Sequence, residues 1–303
     1  MLTNVFVYIY NLLLITFFLF FTLVNSGKAQ ILNVSNYKHY IDTFNENYEE
    51  KVVNAIDNAF SWQWMVNNIP FFDSPDKELE KTYYFRWWTY RKHIKNTPDG
   101  YIITEFLPEV PWSGKHNAIV CPTGHHFYEG RWLHNREYLA DYAAFWFRKG
   151  GDLRSYSSWL ADALYNEYLV SGNKDLAVEL LPDLVKNFKS WEQSNRDPNG
   201  LYWQRDGRDG MEISIGGHGY RATINSYMYG DAKAISKIAG LADKPSLKSE
   251  YDKEAQTIKE LIQKNLWDEH DDFFKVLPRG RVASLADVRE LHGYVRWYFG
   301  LPV

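Results

Sequence analysis

Residues 155–191 read SYSSWLADALYNEYLVSGNKDLAVELLPDLVKNFKSW, and this stretch decides the fold. It predicts two consecutive helices, with Ser155 as a possible N-cap of the first and Gly172 as its stop signal. Pro182 is expected to start a new helix or to kink the second one. The second helix carries one apolar stripe at spacings of three and four, Leu176, Leu180, Leu184, Phe188 and Trp191. The stretch therefore predicts an αα-hairpin.

The same pattern recurs along the chain. The first helices of three successive hairpins are expected near residues 155, 220 and 287, at nearly equal intervals. Such a recurrence indicates a repeated supersecondary unit in which each hairpin buries its apolar face against its neighbours. The sequence thus predicts an all-α fold of stacked helical hairpins. Further helical segments are expected near 53–68, 78–93 and 136–148, and short β excursions at 101–107 and 272–277.

The N-terminal segment differs from the rest. Residues 5–24 are mostly apolar, and the small residues Gly27 and Ala29 follow them. We expect residues 1–29 to be a secretory signal peptide and residues 30–303 to be a partial catalytic domain. This predicts a secreted or periplasmic protein with no stable membrane association after signal removal. The alternative is a membrane anchor formed by residues 5–24.

Composition narrows the possible partners. Of 303 residues, 45% are hydrophobic and 24% charged, and 34 Lys and Arg face 38 Asp and Glu, a formal net charge of −4. Nucleic acid is therefore not an expected partner. Aromatic residues make up 17% of the chain, which favours flat apolar surfaces that bind a ligand. Cys121 is the single cysteine, so no internal disulfide is possible. The oligomeric state stays open.

Charge and glycine concentrate in DGRDGMEISIGGHGY, residues 206–220. The plain interpretation is a solvated turn before a helix. The functional one starts from Glu212, whose apolar neighbours would raise the pKa of its carboxyl and suit it to general-acid chemistry. The glycines allow the backbone to approach a ligand. Arg221 and Asn225 are four residues apart at the start of the next helix, so both could project from one face.

Several segments together resemble the six-hairpin glycosidases, the (α/α)6-barrel superfamily that includes trehalases, family 63 enzymes related to mannosylglycerate hydrolase, and β-L-arabinofuranosidase-like enzymes. The segments are WQRDGRDGMEISIGG (203–217), YRATINSYMYGDAKAISKIA (220–239), YYFRWWTYRKHI (83–94), GHHFYEGRWL (124–133) and RELHGYVRWYF (289–299). The resemblance implies an all-α (α/α)6 toroid and a glycoside hydrolase acting on terminal sugars, with a carbohydrate substrate and no cofactor. It places Glu212 at the position of the catalytic acid.

The candidate site follows from these segments. The catalytic candidates are Glu212 and Asp209. The substrate-binding candidates are side chains that could stack on sugar rings or bind hydroxyl groups, namely Arg86, Trp87, Trp88, His125, His126, Trp132, Asp206, Arg208, Arg221 and Asn225. Core packing is the alternative for the tryptophans, and ion pairing with nearby arginines is the alternative for Asp206 or Asp209. The spacing of His125 and Glu129 does not make a zinc pattern, so no metal is expected.

The resemblance also implies a second catalytic carboxyl in a later hairpin, beyond the end of this sequence. We expect a toroid incomplete at its C-terminus, in a truncated chain whose catalytic base is missing. The alternatives are a non-catalytic carbohydrate-binding protein, an inactive fragment, or a polysaccharide lyase that uses His125, Tyr220 and Arg221. The central expectation is that Glu212 faces a cavity walled by Trp87, Trp88 and Trp132.

Overall fold

The computed structural model describes residues 32–280 and 284–301. The chain forms two units, Met1–Tyr37 and Lys38–Val303. In the first, the described residues include a 3-10 turn, Val34–Tyr37. The predicted signal peptide (1–29) and the alternative anchor (5–24) lie outside the described residues. Among the residues that are described, no helix has the length and apolar character needed to cross a bilayer.

Eleven α-helices are present in the described part of the second unit. They are α1 (Lys38–Asn47), α2 (Ser61–Asn68), α3 (Lys77–His93), α4 (Thr123–Gly130), α5 (Glu137–Arg148), α6 (Leu160–Ser171), α7 (Asp175–Glu179), α8 (Leu181–Asn195), α9 (Ala222–Leu241), α10 (Pro245–Leu266) and α11 (Val295–Tyr298). The helices predicted near 78–93 and 136–148 are α3 and α5. The helix predicted near 53–68 is shorter, because α2 begins only at Ser61 after a 3-10 turn, Asn58–Phe60.

Helices α4, α6 and α9 run in the same direction. Tyr128 of α4 donates its hydroxyl to Asp162 of α6, and one turn further along, Arg131 donates to Asn166. Between α6 and α9, the backbone N–H of Asp162 donates to Asp231. The contacts between α4 and α6 advance together along both helices, which is the signature of parallel neighbours. These three helices form an inner layer.

Helices α3 and α10 pack antiparallel against this inner layer. Helix α3 contacts α4 through the ion pair Arg86–Glu129 and, nearer the start of α4, through the Tyr90 hydroxyl, which donates to the carbonyl of His126. Helix α10 contacts α9, where the Ser236 hydroxyl donates to Asp252 at 2.5 Å. Inner and outer helices alternate along the chain, as in an all-α toroid of helical hairpins. The fold class expected from the sequence is confirmed.

Local sequence explains where these helices start and stop. Helix α8 has Pro182 in its first turn, as predicted, and buries Leu184, Phe188 and Trp191 on one face. Helix α6 ends at Gly172, whose φ of 71° is the left-handed conformation that glycine adopts without strain. The predicted cap at Ser155 is wrong, since α6 begins five residues later. Its first N–H groups are instead satisfied by Asp231 of α9, which accepts from Ala161 and Asp162 at 3.0 and 3.1 Å.

Short strands occupy the connections between helices. A hairpin joins β1 (Ile94–Thr97) and β2 (Gly100–Ile103), and β5 (Trp267–Asp268) pairs with β6 (Phe273–Phe274). Strand β4 (Gly219–Tyr220) lies between β3 (Trp203–Gln204) and β7 (Leu277–Pro278), and all pairs are antiparallel. The β excursions predicted at 101–107 and 272–277 are therefore present but shorter. They brace the loops at the end of the toroid where α4, α6 and α9 begin.

Candidate active site

The three glycine-rich and charged loops meet at the N-terminal ends of the inner helices. A methyl group added at Gly210 would lie 3.4 Å from Cys121 Sγ and 3.5 Å from His292 Cε1. The N–H of Gly216 donates to Glu290 Oε1 at 2.8 Å. Residues of three loops, Cys121, Gly210 and His292, thus lie close together at one rim, as loops between rigid helices can.

Arg221 stabilises the loop formed by residues 206–221 through hydrogen bonds and ion pairs. Its side chain is fully buried, and its Nε donates to Asp209 Oδ2 at 2.8 Å. Its Nη1 donates to Ser214 Oγ at 3.0 Å and to the carbonyl of Gly217 at 2.5 Å, and its Nη2 lies 3.4 Å from Glu290 Oε2. One guanidinium therefore fixes both ends of the loop and the neighbouring segment. The expectation that Arg221 binds substrate is wrong, because none of its side chain is available to a ligand.

Asp209 is the buried partner of this arginine. Its carboxylate accepts from Arg221 and from the Thr223 hydroxyl, and its side chain has no exposed surface. Burial raises the pKa of Asp209, against the opposing effects of Arg221 and Thr223. The structure contradicts a direct catalytic role for Asp209. Asp209 instead forms an ion pair with Arg221, which is the alternative given above for this residue.

Asp206 and Asn225 also serve the loop itself. The Asp206 carboxylate accepts from the N–H groups of Gly207 and Ser214 at 2.7 and 3.1 Å. Buried Asn225 accepts from the N–H of Tyr202 at 2.9 Å and donates to its carbonyl at 2.7 Å, which ties α9 to the preceding segment. Neither side chain is positioned as a sugar ligand. Both belong to the scaffold that shapes the loop.

Glu212 stands at the tip of this clamped loop. Its side chain is exposed, and no ion pair involves it in the part of the chain that the structure describes. The apolar enclosure expected around it is wrong, because Ile213 and Ile215 are 90% and 86% exposed. The scaffold therefore presents an accessible carboxyl on a backbone that is fixed on either side.

A cavity of about 250 Å³ lies beside the loop, and Arg208 lines it. The exposed guanidinium of Arg208 lies 5.0 Å from the centre of the Tyr156 ring, and its carbonyl accepts from the N–H of Ser157. Trp112 contributes a ring that is 67% exposed. Exposed aromatic faces and a guanidinium are groups that bind sugar rings and hydroxyls. Of the predicted ligands, Arg208 is the one that this cavity contains.

The tryptophans of α3 do not form a sugar subsite. Trp87 and Trp88 are both buried, and the Trp88 indole donates to Asn45 at 2.8 Å within an aromatic cluster. The expectation that they bind substrate is wrong, and core packing describes them. Arg86 is exposed but paired, with its Nη2 2.6 Å from Glu129 Oε2. Helix α3 therefore packs against α1 and α4 and does not line the rim.

The histidines and Trp132 of the α4 region take different positions. His126 is partly buried, and its Nδ1 lies 3.0 Å from the hydroxyl oxygen of Tyr142. Burial lowers the pKa of His126 to about 3. His125 is exposed, and its ring lies 4.8 Å from that of Trp159. Trp132 is 48% exposed beside Arg131 at the far end of α4. Within the described ranges, no group of three or more His, Cys, Asp or Glu side chains could hold a metal ion.

Sequence reasoning missed Glu105 and the role of Cys121. Burial raises the pKa of the Cys121 thiol to about 11, with added effects from the charges of Glu105 and Asp209. Cys121 is therefore protonated at neutral pH. Glu105 is exposed in part, yet neighbouring atoms desolvate its carboxyl and raise its pKa. The signal was an acidic residue inside the predicted β excursion YIITEFL, 101–107.

Residues 115–303 match the family described as the mannosylglycerate hydrolase MGH1-like glycoside hydrolase domain. The chain belongs to this family. The matched range contains the loop cluster, the cavity-lining Arg208 and Tyr156, and helices α4 to α11. The MGH1-like domain therefore includes the whole inner layer, and α1 to α3 precede it.

Two individual proteins resemble this MGH1-like chain. A solved structure named sialidase is similar with a TM-score of 0.86 and 43% identity, over 90% of this chain and 26% of that one. An uncharacterized protein of Borreliella burgdorferi (strain ATCC 35210) is 33% identical over 114 residues, which is 37% of this chain and 24% of that protein. The chain thus spans about a quarter of the length of each.

Proposed function

We propose that this MGH1-like domain hydrolyses the glycosidic bond of a terminal sugar, with Glu212 as the general acid. Protonated Glu212 donates its proton to the glycosidic oxygen as the bond between that oxygen and the anomeric carbon breaks. Water then attacks the anomeric carbon and loses a proton to a second carboxylate. The observation that carries the proposal is the position of Glu212, an accessible carboxyl on a loop that Arg221, Asp206 and Glu290 fix.

Fixing the loop matters because general-acid catalysis depends on the distance between donor and oxygen. The buried Arg221–Asp209 pair and the N–H groups bound by Asp206 and Glu290 restrict the backbone on both sides of Glu212. A sugar bound between this loop and the Arg208 cavity would displace water from the carboxyl. Removal of water strengthens the hydrogen bond between the carboxyl and the glycosidic oxygen.

A second carboxyl is required for hydrolysis. Within the chain, Glu105 is a candidate, since its carboxyl and Gly210 of the Glu212 loop both lie near Cys121. The alternative is a carboxyl outside this sequence, as the resemblance implies. Added azide distinguishes these two possibilities. It is an external nucleophile, so it should raise the rate of glycoside cleavage where the second carboxylate is missing. It should change the rate little where Glu105 already supplies that carboxylate.

The test is hydrolysis of a panel of nitrophenyl and alkyl glycosides by the 303-residue chain, with and without azide. We expect Glu212→Gln to lower kcat on alkyl glycosides by about 100-fold or more, the size of a general-acid contribution, and to leave sugar affinity nearly unchanged. Glu269→Gln removes another exposed carboxyl and is the matched control. Sugar binding without turnover under either condition would contradict the proposal and favour a carbohydrate-binding protein.

A polysaccharide lyase finds no support in this arrangement. Arg221 is buried against two carboxylates, and the Tyr220 hydroxyl donates to Asp197 at 2.9 Å. A lyase needs an arginine or similar group free to neutralise a uronate and a tyrosine or histidine free to accept a proton. Of the proposed trio, His125 is exposed, Tyr220 is partly buried and Arg221 is buried.

A further inference from the structure

A second cavity, of about 370 Å³, opens among the inner helices α4, α6 and α9 and the C-terminal α11. It shares no lining residue with the cavity beside Arg208. Its volume falls within the range of about 300–1,000 Å³ that is usual for small-molecule sites. Three cations and three tyrosines line it, Arg131, Lys233, Lys237, Tyr128, Tyr165 and Tyr298.

The three cations of this cavity face a single carboxylate in its lining, that of Asp162. Lys233 and Lys237 are four residues apart on one face of α9, and both are exposed. Neither they nor Arg131 takes part in an ion pair among the described residues, and Arg131 Nε lacks a hydrogen-bond partner there. Three like charges around one cavity repel each other, so an anion bound between them would relieve that repulsion.

The one carboxyl in the lining does not fill this role. Asp162 accepts from the Tyr128 hydroxyl at 2.6 Å and from Asn166 Nδ2 at 3.2 Å. Burial raises the pKa of Asp162, against the opposing effects of Tyr128, Lys233 and Arg131. One carboxylate among three cations leaves the lining with an excess of positive charge, and hydrogen-bonding groups lie beside it.

The tyrosines indicate what kind of anion fits. The rings of Tyr128 and Tyr298 lie 5.5 Å apart, edge to face, and Tyr165 lies on the neighbouring helix. Aromatic rings bind the C–H faces of sugars, and lysine and arginine bind carboxylates. We propose that this cavity binds a carboxylated monosaccharide of the uronic acid class. Its carboxylate would lie among Arg131, Lys233 and Lys237, and its ring against the tyrosines.

The test compares glucuronate with glucose, which differ in the carboxylate at C6. Binding of each to the 303-residue chain is measured by calorimetry. We expect glucuronate to bind about tenfold tighter or more, the size of one charge-assisted hydrogen bond, and to bind more weakly in high salt. The double variant Lys233→Ala/Lys237→Ala should lower glucuronate affinity by at least about tenfold and leave glucose affinity unchanged.

Lys253→Ala/Lys264→Ala is the matched control, because it removes two exposed lysines of α10 that lie outside the cavity. Glu212→Gln should bind glucuronate as the unchanged chain does, so this inference can hold even where the proposed acid fails. Equal affinity for glucose and glucuronate would overturn it, as would equal affinity in the two double variants. Inorganic phosphate that binds as tightly as glucuronate would show an anion site without sugar recognition and would overturn it too.

Discussion

Arg296 is a buried charge without a partner, and its replacement should stabilise the protein. The residue lies on α11 with no exposed surface, and none of its three guanidinium nitrogens has a hydrogen-bond partner within the described residues. Its guanidinium carbon lies 4.0 Å from the centre of the Phe274 ring. Burial lowers the pKa of Arg296 well below its ordinary value. Arg296→Met tests the free-energy cost of burying this guanidinium, because methionine is a long side chain without a charge.

The magnitude follows from the contacts. Each buried guanidinium nitrogen without a partner costs about 1–3 kcal/mol, so three cost about 3–9 kcal/mol. The interaction with the Phe274 ring offsets about 2 kcal/mol of this. We therefore expect Arg296→Met to raise the free energy of unfolding by about 1 kcal/mol or more.

Equilibrium unfolding in urea measures this change, provided that the slope with denaturant stays constant. Arg154→Met is the control, because Arg154 is exposed and should change the free energy of unfolding by less than about 0.5 kcal/mol. A loss of stability in Arg296→Met would refute the reasoning. It would show that the guanidinium is satisfied in the folded protein, for example by buried water.

Three further predictions concern the scaffold. Arg221→Met should lower the free energy of unfolding by about 3–5 kcal/mol, because it leaves the buried carboxylate of Asp209 unpaired, and thermal unfolding measures it. Asp231→Ala should cost about 1–2 kcal/mol by removing the acceptor for the first N–H groups of α6, and amide hydrogen exchange at Ala161 and Asp162 should rise. Glu80 is desolvated by burial, but hydrogen bonds from Ser74, Tyr40 and Lys77 outweigh this and lower its pKa from 4.5 to about 2. Its contribution to stability is therefore complete above pH 4.5 and lost as the pH falls towards 2, so acid unfolding should be less steep in Glu80→Gln across that window.

Much of the fold could be predicted because its helices bury one face each. Three local signals in the sequence correspond to features of the structure. They are the apolar stripe Leu184, Phe188 and Trp191, the proline at the start of α8 and the glycine at the end of α6. Helix α4 could not be predicted this way. It has eight residues and two glycines, and Gly124 is needed because an added methyl group would lie 2.2 Å from the Trp159 ring. That requirement comes from a neighbour 35 positions away and leaves no periodic pattern.

The candidate site was harder to predict, since composition does not reveal which charges are paired. The loop containing Asp209 and Glu212 was identified from its glycines and charges alone. The sequence could not show that Arg221 turns inward to Asp209, because a buried pair and a solvated pair use the same residues. The adjacent side chains of Trp87 and Trp88 are both buried, because α3 packs against α1 on one side and against α4 on the other. One face of a helix is predictable from its period, but a second buried face is set by tertiary neighbours.

The central claim is that Glu212 donates the proton to the leaving oxygen. It is tested most directly by the dependence of kcat/KM on the leaving group in Glu212→Gln. Dinitrophenolate leaves without protonation, whereas an alkoxide does not. We predict a loss of about 100-fold or more on alkyl glycosides and a loss of less than about tenfold on dinitrophenyl glycosides. Equal losses on both kinds of substrate would contradict it.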